Sequence, residues 1–510
     1  MSGVKVTKTL AMLARGAGDQ FARIEGDPET VVRGVSYNSR EVRPGDLFFC
    51  VPGARSDGHL YAPEALLGGA VALCVEHHLD LPSTPPVAQL VVRDVRRAMG
   101  RVAGCFWGEP ASDLALFGIT GTNGKTTTAY LLDAILEAEG RPTGLIGTIE
   151  TRIRGRRRPG LRTTPESADL QALLAEMRTE GVDSVVMEVT SHALALHRAE
   201  GLHFASAVFT NLTQDHLDFH RGMEDYFEAK RSLFVPERAN IGAVNVDDPY
   251  GRRIAESAPI PCLTFGSSAD ADVRPAGVRL TPQGNRFTLV ASGKAPEHGE
   301  IEVRSPLLGA FNVWNALAAA SGALGGGIGL HAVREGLAAL TGVPGRFESI
   351  AEGQPFAVVV DYAHTPDSLD NVLRAARRLV QADQPARVLC VFGCGGDRDK
   401  AKRPLMGAVA ARGADVVVVT SDNPRSERPQ AIIGAILEGV NAVRAEGPDA
   451  TIPDRAEAIR HALGEARRGD VVVVAGKGHE TGQEFADHTV PFDDRDVARA
   501  ALREMAPSGW

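Results

Sequence analysis

The stretch GITGTNGKTTTAYLLDAIL, which begins at Gly118, contains residue types that bind phosphate groups. Lys125 can neutralise phosphate charge, Thr126 can offer a hydroxyl to Mg²⁺, and Gly121 and Gly124 allow the backbone to approach an anion closely. The usual phosphate loop reads glycine, four residues, then Gly-Lys-Ser/Thr. Counted back from Gly124, the first glycine comes one position early, at Gly118. The sequence therefore predicts a phosphate loop of altered length with unchanged chemistry.

The elements that must hold this loop can be read from the apolar pattern around it. LALFGIT predicts a buried strand before the loop, and KTTTAYLLDAILEAEG predicts a helix whose N-terminus points at the anion. Between residues 109 and 342, short runs rich in Val and Ile alternate with helical segments, which is typical of a largely buried parallel sheet. We predict a central domain over 109–342 with a P-loop-type, mostly parallel sheet and helices.

Two further α/β domains are predicted on either side. Residues 1–108 contain short apolar pieces separated by Gly, Pro and Asp turns, which indicate a small N-terminal α/β domain. Residues 343–510 again alternate, with FAVVVDYAH, ARVLCVFGCGG, ADVVVVTSDNP and GDVVVVAGKGHE, and indicate a Rossmann-like C-terminal domain. In these runs the distinctive polar residues follow the strand immediately. Ligands bind beyond the carboxyl ends of strands in open α/β sheets, so this placement suggests catalysis.

Composition excludes several classes of protein. The chain of 510 residues has a net charge of −9, and its one short basic run, RIRGRRRPG at 152–160, reads as a solvated hairpin, which argues against nucleic-acid binding. The densest apolar runs are far too short to span a bilayer, and the first residues lack the apolar region of a signal peptide. Six separated cysteines predict reduced thiols. We expect a cytoplasmic, monomeric enzyme that acts on small molecules.

The shortened loop TGTNGKTTT resembles that of the ATP-dependent Mur ligases and of their relatives, the folylpolyglutamate synthetases. The resemblance extends over nearly the whole chain through the blocks MEVTSHAL, TNLTQDHLDFH, YFEAKRSLF, GAFNVWNALAA, GVPGRFE, DYAHTPDSL, FGCGGDRDKAKRPLM, SDNPRSERP and AGKGHE. These blocks are similar to those of the Mur ligases that add the third amino acid of the peptidoglycan precursor, in particular diaminopimelate.

The resemblance implies an ATP-dependent, amide-forming reaction. Meso-diaminopimelate would be joined to UDP-MurNAc-L-Ala-D-Glu after ATP has converted the glutamate carboxylate into an acyl phosphate. The N-terminal domain would bind the UDP-sugar, the central domain ATP, and the C-terminal domain the amino acid. Catalysis of this kind depends mostly on positioning and on charge stabilisation, so cationic groups and Mg²⁺ are implied.

Residue roles are implied position by position. The resemblance places ATP contacts at Gly121, Thr122, Asn123, Gly124, Lys125, Thr126, Thr127, Asn312, Asn315, Arg346 and Asp361. It places catalysis at Lys125, Glu188, His216 and Lys230, and Mg²⁺ ligands at Thr126, Glu188, His216 and Lys230. Other interpretations stay open: an asparagine next to Trp314 could cap a helix, Arg346 could pair with Glu348, and His216 could pack locally.

Lys230 has two interpretations. Its position in FEAKRSLF is typical of a surface lysine on an amphipathic helix. In the family, the matching lysine is modified by carbon dioxide to an N6-carboxylysine, which turns an ammonium into an acidic oxygen ligand for Mg²⁺. The resemblance implies this carbamate at Lys230.

For the nucleotide-sugar peptide, the resemblance implies contacts at Ser39, Thr163, Thr164, Thr190 and Arg198. The planar guanidinium of Arg198 suits a carboxylate or a pyrophosphate. Arg162 and Leu196 depart from the pattern, because some relatives carry Asn and Gln at these places. The contacts made at these two positions are therefore not carried over.

For the amino acid, the resemblance implies contacts at Arg398, Asp422, Asn423, Pro424, Arg425, Gly476 and Glu480. Meso-diaminopimelate differs from lysine by one extra carboxylate, and a guanidinium offers that group two donors. We expect Arg425 to bind this carboxylate and Asp422 and Asn423 to receive the ammonium. The alternative is an ordinary Asx-Pro turn with an exposed arginine.

Other functions remain to be separated from this one. A ligase that adds lysine or ornithine is the nearest alternative, and DNPR argues against it. A folylpolyglutamate synthetase is more distant, and the N-terminal domain argues against it. A catalytically silent ATP-binding regulator is also conceivable, but Lys125, Glu188, His216 and Lys230 occur together, which weighs against it.

Overall fold

The computed structural model describes residues 6–53, 56–82, 86–160, 162–281, 283–380 and 386–505. Its three main sheets have five, eleven and six strands and follow one another along the chain without interleaving. Each sheet has apolar clusters packed against it. This is the predicted α/β architecture in three parts. The boundaries 108/109 and 342/343 remain predictions.

The first part of the chain forms the five-stranded sheet, in the order β2-β7-β6-β5-β4, and a separate pair, β1-β3. Its elements are β1 (Lys8–Thr9), α1 (Leu10–Gly16), β2 (Phe21–Glu25), β3 (Val31–Val32), β4 (Gly34–Ser36), β5 (Asp46–Phe49), α2 (Ala62–Leu67), β6 (Ala72–Val75), β7 (Ala88–Val92) and α3 (Val95–Trp107). The carboxylate of Asp94 caps α3 by accepting from the Arg97 amide, and Gly108 ends it with φ 72°.

The middle part forms the eleven-stranded sheet, in the order β11-β10-β9-β12-β8-β13-β14-β15-β16-β17-β18. Its elements are β8 (Ala115–Thr120), α4 (Lys125–Ala138), β9 (Thr143–Ile146), β10 (Glu150–Ile153), β11 (Arg156–Pro159), α5 (Ser167–Thr179), β12 (Ser184–Glu188), α6 (Ser191–Ala195), β13 (Ser206–Phe209), α7 (Met223–Arg231), β14 (Gly242–Asn245), α8 (Pro249–Ser257), β15 (Cys262–Phe265), β16 (Val273–Thr281), β17 (Gly284–Ala291), β18 (Gly299–Ser305), α9 (Phe311–Gly325) and α10 (Leu330–Ala339).

Neighbouring strands of this sheet are parallel from β9 to β16 and antiparallel at both ends. Apolar residues of α4, α9 and α10 pack on one face, and those of α5, α7 and α8 pack on the other. Burial on both faces explains why the inner strands read as continuous apolar runs. At one end, β10 and β11 form the hairpin predicted at 152–160, and β11 is exposed along its length.

The last part forms the six-stranded sheet, in the order β19-β20-β24-β21-β22-β23, and a small β25-β26 hairpin. Its elements are β19 (Glu348–Ser349), β20 (Ala357–Asp361), α11 (Pro366–Leu379), β21 (Val388–Phe392), α12 (Lys402–Gly413), β22 (Val416–Val419), α13 (Pro429–Asn441), β23 (Ala450–Thr451), α14 (Arg455–Glu465), β24 (Val471–Ala475), β25 (Gly482–Glu484), β26 (Thr489–Pro491) and α15 (Asp494–Met505). Strands β20 to β23 are parallel in this order.

All six cysteines are free thiols, and five of them are buried. Within the described ranges, the helices are all too short or too polar to cross a bilayer.

Candidate active site

A cavity of about 880 Å³ lies where the carboxyl ends of the middle and last sheets face each other. Three strands lead into its wall: Lys125 follows β8, Glu188 ends β12, and Asp361 ends β20. This is the edge at which open parallel sheets bind ligands. Most of the residues predicted for ATP and for the nucleotide-sugar peptide therefore share one cavity.

The phosphate loop runs from the end of β8 at Thr120 to the start of α4 at Lys125. Gly121 and Gly124 have φ values of 151° and 84°, which side chains rarely allow. A Cβ on Gly121 would lie 1.9 Å from Oγ1 of Thr210. The two glycines therefore keep the predicted tight turn in front of the helix N-terminus.

The Lys125 side chain is folded over its own loop. Its Nζ donates to the carbonyl oxygens of Gly121 at 3.0 Å and Thr122 at 2.9 Å. Burial lowers the pKa of Lys125, and the carboxylate of Glu188 partly opposes that effect. Thr127 is buried in the first turn of α4 and also lines the cavity.

The loop also contacts the last part of the chain. Nδ2 of Asn123 donates to Oδ2 of Asp367 at 2.8 Å, in the first turn of α11. Its backbone amide donates to Oδ1 of Asn211 at 2.9 Å. The phosphate loop is thus held from both sides of the cavity.

Glu188 is a buried carboxylate at the end of β12. It accepts from the Thr126 hydroxyl at 3.0 Å, and from the amide and hydroxyl of Thr148 at 2.8 and 3.1 Å. These donors are neutral, and no cationic side chain in the described ranges forms an ion pair with it. A buried carboxylate beside a hydroxyl of the phosphate loop offers the hard oxygen ligands that Mg²⁺ prefers.

Mg²⁺ would have to share this site with a phosphorylated ligand. Within the described residues there is no group of three or more His, Cys, Asp or Glu side chains that could hold a metal ion. Mg²⁺ is usually bound by one or two carboxylates together with substrate phosphates, so Thr126 and Glu188 fit an ion that binds with a nucleotide.

His216 lies in the cavity wall with φ 55°, a left-handed conformation. Its ring packs edge-on against His192 with centroids 4.7 Å apart, and its Nε2 lies 3.5 Å from Oδ2 of Asp215. Burial lowers the pKa of His216, although the charge of Asp215 opposes the effect, so the imidazole is neutral at physiological pH. The ring thus packs locally, as the alternative held, and also faces the cavity.

Lys230, on α7, is 1% exposed, so the interpretation as a surface lysine is wrong. Its Nζ donates to the Gly121 carbonyl at 2.8 Å and lies 4.6 Å from the centre of the Tyr226 ring. No carboxylate in the described ranges forms an ion pair with it. Burial, and then the charge of Lys125, hold the pKa of Lys230 well below its usual value.

The two predicted asparagines form a pair on α9. Nδ2 of Asn315 donates to Oδ1 of Asn312 at 2.8 Å, and Nδ2 of Asn312 donates to the Leu308 carbonyl at 2.7 Å. No side chain caps α9, so the interpretation of these residues as a helix cap is wrong. Asn315 lines the cavity, and a Cβ on Gly124 would lie 2.4 Å from its Oδ1.

Arg346 reaches from the junction before β19 to the phosphate loop. Its Nη2 donates to Oγ1 of Thr126 at 3.0 Å, and its guanidinium lies 4.4 Å from the centre of the Tyr362 ring. Glu348 instead pairs with Arg499 at 3.0 Å, so the suggested Arg346–Glu348 pair is wrong.

Asp361, at the end of β20, is also buried in the cavity wall. Its Oδ2 accepts from the Phe347 amide at 2.6 Å. Burial raises the pKa of Asp361 to about 6, while the charge of Arg346 opposes the rise. This carboxylate therefore fixes the backbone next to Arg346.

Thr163, Thr164, Thr190 and Arg198 line another part of the same cavity. The Thr164 hydroxyl donates to the Glu188 carbonyl at 2.9 Å, and Oγ1 of Thr190 accepts from the Ala193 amide as the cap of α6. Nη2 of Arg198 lies 2.9 Å from Oε1 of Glu166.

The two departures from the family pattern differ in placement. Arg162 also pairs with Oε1 of Glu166, at 2.7 Å, and lines the cavity. Leu196 follows the end of α6 and is not among the lining residues. Arg162 thus adds a second cation beside Arg198, whereas Leu196 adds no polar group.

Ser39 lies apart from the large cavity. A second cavity of about 260 Å³ is lined by Tyr37, Asn38, Ser39, Arg40, Phe48, Gly58 and Tyr61. The Ser39 hydroxyl donates to Oε2 of Glu64 at 2.9 Å.

Asp422 and Asn423 follow β22 closely and are buried. Nδ2 of Asn423 donates to Oε2 of Glu480 at 2.8 Å, and Oδ1 of Asn423 accepts from Nζ of Lys477 at 2.8 Å. Gly476 has φ 123°, and a Cβ there would lie 2.5 Å from Oδ2 of Asp422. Four of the predicted amino-acid contacts, Asp422, Asn423, Gly476 and Glu480, thus meet at the carboxyl ends of β22 and β24. Lys477 was missed, although it lies in the quoted block AGKGHE.

Arg425 follows the buried Pro424, and its side chain is 22% exposed. Its Nε donates to Oε2 of Glu484 at 2.7 Å, and its Nη1 donates to the Gly396 carbonyl at 2.9 Å. Arg425 is therefore only partly exposed and has two partners, unlike the exposed arginine of the alternative. Arg398 is exposed and lines the large cavity, which brings it to the side that faces the phosphate loop. No motif in the sequence indicated Glu484.

Family models match three stretches of the chain. The Mur ligase middle domain matches residues 119–323, the glutamate ligase domain of Mur ligases matches 345–478, and the catalytic domain of the Mur ligase family matches 31–107.

Individual relatives match nearly the whole chain and belong to the same family. A UDP-N-acetylmuramoyl-L-alanyl-D-glutamate–2,6-diaminopimelate ligase from Streptomyces coelicolor is 46% identical over 507 residues, 98% of this chain and 98% of that protein. The ligase of the same name from Solibacter usitatus is 48% identical over 93% of this chain and 94% of its own. A solved structure of a ligase with this name has a TM-score of 0.67 and 32% identity, and covers 98% of this chain and 99% of its own.

Proposed function

Because the chain belongs to the Mur ligase family, we propose that it is the ATP-dependent ligase that joins meso-diaminopimelate to UDP-N-acetylmuramoyl-L-alanyl-D-glutamate. The observation that carries the proposal is the cavity of about 880 Å³, which unites the phosphate loop, the buried Glu188, the basic group around Arg198 and the junction residue Arg346. Diaminopimelate, rather than lysine or ornithine, is favoured by the relatives' names and by the arginine at 425.

The phosphates of the substrate ATP bind over the loop, against the helix N-terminus of α4. Lys125 then exchanges its loop carbonyl acceptors for phosphate oxygens, and Arg346 lies within reach of the same phosphates. Arg198 and Arg162 hold the anionic nucleotide-peptide in the same cavity. The glutamyl carboxylate attacks the γ-phosphorus, the bond to ADP breaks, and an acyl phosphate forms. The amine of the amino acid then attacks the acyl carbon, and phosphate leaves.

Thr126 and Glu188, with the neutral His216 nearby, are the residues that would hold Mg²⁺. When bound, the ion supplies charge screening between the phosphates and the approaching carboxylate.

We also propose that Lys230 carries a carbamate. It is buried and lacks a carboxylate partner in the described ranges, and it shares the Gly121 carbonyl with the cationic Lys125. A neutral amine attacks carbon dioxide, a nitrogen–carbon bond forms, and one proton leaves. The product is an anion in place of a second cation next to Lys125, and its oxygens would be acidic ligands for Mg²⁺.

The amino-acid site lies beyond β22 and β24. The Arg425 guanidinium donates to the distal carboxylate of diaminopimelate, while Asp422, Asn423 and Glu480 provide oxygens for an ammonium. Glu484 holds the Arg425 side chain in position at 2.7 Å. If lysine were bound instead, the Arg425 guanidinium would have Glu484 but no substrate carboxylate as a partner.

The test is a ligation assay with purified protein, ATP, Mg²⁺, UDP-MurNAc-L-Ala-D-Glu and meso-diaminopimelate. We expect a product of the summed mass less one water, and phosphate release that requires both acceptor substrates. Lys125→Ala is the inactive control, because it removes charge from the phosphates and no packing from the core. ATP binding without any product would instead support the silent regulator.

A further inference from the structure

Arg455 and Asp494 form a fully buried ion pair next to the amino-acid loops, and both side chains are 0% exposed. Nε of Arg455 donates to Oδ1 of Asp494, and its Nη2 donates to Oδ2, both at 2.7 Å. Arg455 begins α14 and Asp494 begins α15. Removing two charges from water is costly, so a pair of this kind is weak support for stability and raises the question of what else it does.

The remaining donors of Arg455 bind two backbone carbonyls. Nη1 donates to the Ser421 carbonyl at 3.2 Å, and Nη2 donates to the Ala475 carbonyl at 3.0 Å. Ser421 directly precedes Asp422, and Ala475 directly precedes Gly476. One guanidinium therefore fixes the backbone at the start of the two loops that hold the predicted amino-acid contacts other than Arg398.

The spacing between these loops is tight. A Cβ on Gly476 would lie 2.5 Å from Oδ2 of Asp422 and 3.6 Å from Nη2 of Arg455. Beyond this point, Asn423 from one loop bonds to Lys477 and Glu480 from the other. A small shift of either carbonyl would therefore change the distance between the groups proposed to bind the amino acid.

We infer that Arg455 and Asp494 are positioning residues that set the spacing of the diaminopimelate site by holding the carbonyls of Ser421 and Ala475. Neither residue is in the cavity lining, so the effect on the substrate is indirect. Misplacement of binding groups by about 1 Å can cost on the order of a hundredfold in efficiency. The inference rests on the proposed function, because it assumes that the two loops bind the amino acid.

The chain offers a matched control at the opposite end of the same sheet. Arg387 and Asp470 also form an ion pair, at 2.8 Å, and the Asp470 side chain is 1% exposed. They directly precede the starts of β21 and β24, on the side away from the amino-acid loops. Asp470→Asn should weaken the fold of this domain as Asp494→Asn does, without touching the site.

The experiment compares Asp494→Asn, Arg455→Lys and Asp470→Asn with the wild type. For each protein, KM is measured for diaminopimelate, ATP and the nucleotide-peptide, together with the melting temperature. We expect Asp494→Asn and Arg455→Lys to raise KM for diaminopimelate by about 10- to 100-fold, with the other two KM values within about twofold of wild type. Asp470→Asn should lower the melting temperature and leave all three KM values unchanged.

Equal changes in all three KM values, or a lower melting temperature with unchanged KM values, would show that the pair is only structural and would overturn the inference. If Asp494→Asn does not fold, Asp494→Glu decides by the same criterion, since it keeps the charge but moves the carboxylate. Wild-type protein that forms no product and binds no diaminopimelate in calorimetry would instead refute the proposed function, and the inference with it.

Discussion

Lys125 and Lys230 donate to the same acceptor, the carbonyl oxygen of Gly121, at 3.0 and 2.8 Å. Two amines therefore meet at the phosphate loop, and no carboxylate in the described ranges forms an ion pair with either. Burial lowers the pKa of both side chains. A carbamate on Lys230 would replace repulsion between like charges by attraction, and this relationship is the structural basis of the modification that we propose.

We expect Lys230→Ala to be nearly inactive and to recover part of its activity when acetate or formate is added, because a small carboxylate can take the place of the carbamate. Lys230→Arg should not recover, since a permanent cation cannot bind a metal. Phosphate release with and without the added anion measures both effects.

The modification itself can be observed in active enzyme. Native mass spectrometry without acid treatment should show one bound carbon dioxide in the wild type and none in Lys230→Ala. An unmodified Lys230 in fully active enzyme would contradict the carbamate, and the ligase assignment would be unaffected.

The second prediction concerns Arg346, which bonds to the Thr126 hydroxyl at 3.0 Å. Arg346→Met keeps an apolar stem beside the Tyr362 ring and removes the charged donor. A hydrogen bond to a charged group contributes about 1.5–3 kcal/mol, so KM for ATP should rise by about 10- to 100-fold. KM for diaminopimelate should stay near the wild-type value. An unchanged KM for ATP would contradict a role of Arg346 in ATP binding and would leave it only a structural role at the junction before β19.

The third prediction concerns pH and His479. Burial, then the charges of Arg346 and Arg495, lower the pKa of His479 to about 3. Its buried Nδ1 has no hydrogen-bond partner within the described residues. Below about pH 6.5 the histidine of the unfolded chain binds a proton, whereas that of the folded chain stays neutral down to about pH 3. The free energy of unfolding therefore decreases as the pH falls from about 6.5 towards 3.

The wild type should lose unfolding free energy when the pH is lowered from 7 to 5, and in His479→Gln this loss should be smaller by about 2 kcal/mol. Urea denaturation at the two pH values measures both losses. The matched control is His488→Gln, which replaces a histidine of the same part of the chain whose side chain is 58% exposed and should keep the wild-type loss. The same loss in both variants would contradict the prediction.

The sequence predicted those parts of the site that depend only on residues close together along the chain. The strand, loop and helix around Lys125 follow from apolar periodicity and glycine, and Glu188 was placed correctly at the end of β12. The strand-end rule also placed Asp361 and Asp422 at the carboxyl edges of their sheets. These inferences need only neighbours within a few residues along the chain.

Contacts between distant residues could not be read in this way. Lys230 has the pattern of a surface lysine, and its burial depends on the phosphate loop that lies 109 residues away. Glu484 lies 59 residues from Arg425, and Asp494 lies 39 residues from Arg455. A single sequence carries no signal for such pairs, because any acidic residue of the same part of the chain is an equally good candidate.

The fourth prediction concerns Arg425. Arg425→Ala removes the donors proposed for the distal carboxylate and leaves Glu484 without its partner. Losing one partner of a hydrogen-bonded charge pair typically costs about 2–5 kcal/mol, or about 30-fold to several thousandfold. We expect kcat/KM for diaminopimelate to fall in this range while KM for ATP stays unchanged. Arg425→Lys should keep only part of the wild-type kcat/KM for diaminopimelate, because an ammonium cannot make the two parallel hydrogen bonds of a guanidinium. An equal loss with every amino acid would contradict this role.

The most direct test of the ligase assignment is amino-acid-dependent phosphate release by the wild-type protein with ATP and UDP-MurNAc-L-Ala-D-Glu, compared across meso-diaminopimelate, lysine and ornithine. A site built to pair a carboxylate rejects analogues that lack it, because its own polar groups are then left unpaired. We predict efficient release with meso-diaminopimelate and little with the other two. Preference for lysine or ornithine, or release that depends on none of the three, would contradict the assignment.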